Sequence, residues 1–167
     1  MASEAVVLTV IAGGGLTTAI DMRTRRIPNA LTFGLAAFGL ILAVAQVSGV
    51  SVMAALAGLA VGLVLMMPGH VIGATGGGDV KLMAAFGTLL GPGRIGMAFL
   101  YSAVAGGVLA MVVAARRRRV RTTFTNTATL VVTGGANVAA IESPAADNRF
   151  AYGPAIAAGV LLAALGV

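Results

Sequence analysis

Long uncharged stretches alternate along the chain with short polar breaks, a pattern of spans and loops rather than of half-buried surface elements. Residues 5–20 carry no charge and are followed by Asp21-Met22-Arg23-Thr24-Arg25-Arg26. No charged side chain occurs from Ile27 to Gly78, which leaves room for two apolar helices divided near Gln46–Ser51. Pro68 and Gly69 close the second, and a Gly-rich run leads into Asp79-Val80-Lys81. The short apolar segment 82–91 ends at Gly91-Pro92-Gly93-Arg94, and 95–115 is again uncharged up to Arg116–Arg119 and Arg121. The last apolar run is 150–167. This pattern predicts an all-α membrane protein: one transmembrane domain, a six-helix bundle with an irregular Gly-rich segment before the fourth helix. The spans fall near 5–20, 30–48, 51–67, 79–91, 95–115 and 150–167, with a cytoplasmic loop 116–149.

Composition narrows the class. Of 167 residues 59% are hydrophobic, 24 are Gly and 10% are charged, whereas a soluble domain carries roughly 25% charge. Disorder, collagen-like repeats and nucleic-acid binding are excluded, despite a net charge of +6. With no Cys, disulfides, thiolate metal sites and cysteine nucleophiles are excluded too, and with His70 as the single His an H-E-x-x-H zinc site is impossible.

The charge reports topology. If all six segments cross, 10 of the 11 basic residues lie on one side and only Arg94 lies opposite. If 82–91 does not cross, the split becomes 5 against 6. Cytoplasmic loops carry the Lys/Arg excess, so six spans with both termini outside are expected, in a cell (inner) membrane. Glu4 precedes the first apolar run and the arginines follow it, the reverse of a secretory signal, so that helix is expected to be retained, with the bilayer thinning to match its length. The arginines of 116–121 are expected to meet anionic lipid headgroups.

From Asp79 to Gly91 there are 13 residues, a helix of about 20 Å against a hydrocarbon core of about 30 Å. The irregular run before it is therefore expected to dip into the membrane where protein or a wet cavity covers it, which sets Asp79 inside the bundle near the cytoplasmic face.

Only five acids exist: Glu4, Asp21, Asp79, Glu142 and Asp147. Asp21 closes the first span and Asp79 opens the fourth, both on the cytoplasmic side. Ionisable groups at membrane depth are costly and mark function. Two carboxylates brought together share a proton, so that one polarises a carbonyl while the other activates water. Taken singly, Asp21 reads equally as a solvated acid balancing Arg23, Arg25 and Arg26, and Asp79 as a helix N-cap.

The local sequences carry a resemblance. Asp21 followed by Ile27-Pro28-Asn29 resembles the first aspartate motif of the type IV prepilin peptidases, and Gly76-Gly77-Gly78-Asp79-Val80-Lys81 matches their second, G-x-G-D-x-K. Phe150-Ala151-Tyr152-Gly153-Pro154 is similar to the Pro-Phe-Gly-Pro segment that opens the family's last helix, with Ala151 departing from the leading Pro. The motifs fall in family order along the whole chain. The resemblance implies a membrane aspartic endopeptidase of the GxGD type, without metal or cofactor, with Asp21 and Asp79 as the catalytic pair. Such enzymes cut the basic leader from prepilin-like substrates at the cytoplasmic membrane face. The lack of Cys and the start at the first span point to the compact, peptidase-only form found with tight-adherence (Flp-type) pili.

Supporting roles follow. Gly76 and Gly78 would let a substrate backbone approach Asp79 through φ > 0 conformations. Pro28 would fix the entry to the second helix and Asn29 would cap it, and Gly153 and Pro154 open the last helix. Lys81 would favour an ionised carboxylate or snorkel to the interface; His70 reads as an interfacial polar residue. Intramembrane proteases of the presenilin or signal-peptide-peptidase kind set their aspartates mid-span, which the Arg-rich sequence after Asp21 speaks against. The alternative from another class is a small membrane transporter or channel using Asp21 and Asp79 as a proton or cation site.

Overall fold

The computed structural model describes residues 2–116 and 152–167, together with the single positions 125, 128, 129 and 132. Arg117–Arg119, Arg121, the rest of the loop 122–149 and Phe150-Ala151 lie outside the described residues. Five helical elements occur among the described residues: α1 (Glu4–Thr24), α2 (Asn29–Val44), α3 (Val52–Val71), α4 (Gly77–Arg116) and α5 (Gly153–Leu165). The described residues contain no strand.

Local chemistry sets the ends. Ser3 caps α1, its hydroxyl accepting from Val6 N–H, and α1 continues past the expected 5–20 to Thr24, where Arg25 turns left-handed (φ 52). Asp21 thus sits in the last turn of α1. Pro28 occupies the N-cap of α2, and no side chain caps that helix. Ser51 caps α3 through Ala54 N–H. That helix does not stop at Pro68-Gly69 as expected. Proline lacks a donor but keeps its acceptor, and Pro68 O takes a bond from Ile72 N–H at 3.2 Å, carrying the helix to Val71. The irregular segment shrinks to residues 72–76. It is wound rather than extended, with Ala74 N–H bonded to Gly69 O at 2.7 Å and Gly73 N–H to His70 O at 3.0 Å.

The expected spans 79–91 and 95–115 fall in one element, α4, which breaks at Gly91 (φ 74, ψ 176). Side-chain-bearing residues rarely take that conformation, and Pro92 follows to prevent the first arm's ladder from continuing. Residues 82–91 are buried without a gap. A helix apolar all round is one that other helices surround, and α3, α2 and α5 pack on this element. Gly58 of α3 and Gly87 of α4 meet backbone to backbone: a Cβ on Gly58 would lie 2.9 Å from Gly87 C and Gly91 C. Small residues of this kind let membrane helices approach closely. Phe86, Leu82, Met83 and Leu89 fill the core with Val6, Val10, Ile156 and Val160.

The periphery is apolar as well: Leu8, Val64, Val104 and Met111 are each more than 60% exposed. Outward faces this apolar suit lipid rather than water. Three helical stretches, Glu4–Thr24, Val52–Val71 and Gly77–Val113, are long and apolar enough to cross a membrane; Asn29–Val44 and Gly153–Leu165 are shorter apolar helices. This differs from the expected six spans because two of those spans share one broken element, and because 16 and 13 residues rise only about 24 and 20 Å.

Candidate active site

The C-terminal ends of α1 and α3 and the N-terminal ends of α2, α4 and α5 converge at one end of the bundle. Three long-range contacts define that end. Gly153 N–H donates to Asp21 Oδ2 at 2.8 Å, joining α5 to α1. Lys81 Nζ donates to Asn29 Oδ1 at 2.9 Å, joining α4 to α2. Gly78 lies against Ile27, where a Cβ would come within 3.2 Å of the Ile27 Cβ.

Asp21 is 5% exposed. It is therefore not a solvated acid balancing the arginines that follow it. Its carboxylate sits at the start of α5, where unpaired amides and the helix dipole favour negative charge. Gly153 leaves no room for anything larger, since a Cβ there would lie 2.8 Å from Asp21 Oδ2. Pro154 follows in the first turn of α5, where its missing N–H costs nothing and its fixed φ suits the helix.

Asp79 lies in the first turn of α4, and its Oδ2 accepts from Gly76 N–H at 3.1 Å. An acidic side chain reaching back to the amide at its own helix start is the reciprocal half of a capping box. The carboxylates of Asp21 and Asp79 are within electrostatic reach of each other. The hydrogen bonds from Gly153 and Gly76 both go to Oδ2.

Several supporting residues act differently from expectation. Asn29 does not cap α2; its side-chain oxygen is taken by Lys81. Lys81 neither faces a carboxylate as its hydrogen-bond partner nor extends away alone, because its ammonium also lies 5.9 Å from the centre of the Phe33 ring. Gly76 and Gly78 are not at positive φ, whereas Gly73 is, at 74°. Gly76 contributes its amide to Asp79, and Gly78 contributes close packing on Ile27. His70 Nδ1 is 3.1 Å from Thr75 O, tying the end of α3 to the loop that delivers Gly76.

Sequence reasoning missed Tyr152. Its hydroxyl donates to Ser102 O on α4 at 3.1 Å, and it lies within electrostatic reach of Asp79. The available signal was an aromatic residue immediately before the Gly153-Pro154 pair. The described residues contain no cluster of His, Cys, Asp and Glu able to hold a metal ion.

Comparison with curated proteins and with solved structures returns no match. A family model, that of the type IV leader peptidase family, matches residues 8–111. The matched stretch is more than half of the chain and includes Asp21, Pro28, Asn29 and the run from Gly76 to Lys81. With this match, and with apolar helices long enough to span a bilayer, the chain belongs to the type IV leader peptidase family of membrane proteases.

Proposed function

We propose that this protein is an aspartic endopeptidase that removes the leader from type IV prepilin-like substrates at the cytoplasmic face of the cell membrane, with Asp21 and Asp79 as its catalytic pair. The observation that supports the reading is that Asp21 and Asp79 fall at the same end of the bundle, each with Oδ2 held by a backbone amide. Fixed carboxylates cost no reorganisation when the reaction begins.

The chemistry needs one acid of the pair ionised and the other protonated. One, ionised, takes a proton from water as the water oxygen bonds to the scissile carbonyl carbon. The other, protonated, donates to the carbonyl oxygen as negative charge develops there. Proton transfer to the amide nitrogen then lets the C–N bond break, giving a carboxylic acid and a free amine.

The proposed topology is one domain with six crossings, the two arms of α4 on either side of Gly91 each counting as one. The shorter helices would cross a locally thinned bilayer. Both termini lie outside, and 10 of 11 basic residues lie inside with the aspartates. Arg116–Arg121 would contact anionic headgroups.

The test is co-expression with a prepilin-like substrate, following pilin size by immunoblot. Wild type shortens the substrate, while Asp21→Asn and Asp79→Asn stay in the membrane and leave it full length. Processing at wild-type levels by either variant overturns the dyad. A transporter or channel would leave the substrate uncut in every case.

A further inference from the structure

The start of α5 is fastened to α4 by a side chain adjacent to the Gly153 amide. Tyr152 O–H donates to Ser102 O at 3.1 Å. The Tyr152 ring fills the space beside Gly106, where a Cβ would lie 3.0 Å from Tyr152 Cζ. Ser102 is itself fixed, its hydroxyl donating to Ala98 O at 2.7 Å and reaching Ile156 O at 3.5 Å. One residue on, Gly153 N–H meets Asp21 Oδ2. The peptide link between Tyr152 and Gly153 is planar and of fixed length, so a shift of Tyr152 passes directly to the amide that holds Asp21. The neighbouring Gly107 offers a contrast: nothing lies within 4 Å of the place its Cβ would take.

We propose that Tyr152 is a positioning residue for the active site: its ring against Gly106 and its hydrogen bond to Ser102 O set where the Gly153 N–H meets Asp21. The proposal rests on the peptidase reading above. Tyr152 acts through Gly153 on the alignment of a catalytic carboxylate, so it affects the chemical step more than substrate binding.

The test measures kcat and KM for leader cleavage by the purified full chain in detergent or proteoliposomes. Misplacing a catalytic group by about 1 Å costs about 10²-fold, so Gly106→Ala is expected to lower kcat on that scale at unchanged KM. Tyr152→Phe keeps the ring and loses one hydrogen bond, for a fall in kcat of about fivefold. Gly107→Ala stays at the wild-type rate. In a Tyr152→Ala background, adding Gly106→Ala costs nothing further, because the two act through one contact. Should Gly106→Ala fail to accumulate, Tyr152→Phe carries the same split between kcat and KM. Equal kcat for Gly106→Ala, Gly107→Ala and wild type overturns the inference, as does a loss confined to KM in Gly106→Ala or, where that variant does not accumulate, in Tyr152→Phe. Wild-type protein that cleaves no leader overturns the peptidase reading, and this inference with it.

Discussion

Gly153 and Asp21 are joined by a 2.8 Å hydrogen bond across 132 positions of sequence. The bond ties the last helix to the last turn of the first. It gives a buried carboxylate a backbone donor, without which burial of the charge would be costly. It also explains why a glycine opens α5: the carboxylate occupies the space that any side chain would need.

Gly153→Ala therefore separates donor from acceptor. Forcing a methyl group into a packed site costs about 1–3 kcal/mol, and the displaced carboxylate should lower cleavage at least tenfold, on the order expected for a misaligned catalytic group. Pilin processing and thermal unfolding in detergent, measured together, check this. Unchanged processing would show that the amide is dispensable.

Lys81 and Asn29 form a second strut, from α4 to α2. Both side chains are exposed, so water competes for the bond. A double-mutant cycle with Asn29→Ala and Lys81→Ala is expected to give a coupling of about 0.5–1.5 kcal/mol, at the low end because of that exposure. Purely additive losses of unfolding stability would remove the strut from the account.

At the crossing of α3 and α4, Gly58→Leu should be much more damaging than a change at an open glycine. The backbone of Gly87 and Gly91 stands where the side chain would go, and backbone cannot move aside as a flexible side chain can. The loss of stability is expected to reach or exceed about 3 kcal/mol. Gly34→Ala, with nothing within 4 Å, should instead stabilise α2 by about 0.5–1 kcal/mol. Comparable melting temperatures for the two variants would contradict the close approach.

The proposed topology has its own check. A reporter active only in the cytoplasm should be active when fused after Arg121 and inactive when fused after Arg94. Activity at both points would mean that the second arm of α4 does not cross. The remaining assignments of side would then change with it.

How much was legible in the residues depends on the range of the interaction. Asp21 and Asp79 stood out because charge is expensive at the edge of an apolar span, and the motifs around them were recognisable as strings. Asn29 was misread because Asn before a helix is a good cap in isolation; its partner Lys81 is 52 positions away, and local propensity carries no information on that. The Pro68-Gly69 pair was misread for a related reason: its breaking tendency is local, while the bond from Ile72 N–H to Pro68 O keeps the helix wound for another turn. Gly76 and Gly78 read as positive-φ positions beside Asp79, yet neither has positive φ; Gly76 gives its amide to Asp79 and Gly78 packs closely on Ile27.

By itself the sequence determined the solvent of this protein, its helical class and the two acids worth watching, because hydropathy, residue type and short motifs are properties of neighbouring positions. Only the tertiary structure decided that Asp21 rests on the first amide of the last helix, that Lys81 serves Asn29, and that Tyr152 is fitted into the gap left by Gly106. Those relationships depend on which helices pack together and how closely their backbones approach. Both are settled by the shape of the whole bundle rather than by any stretch of it.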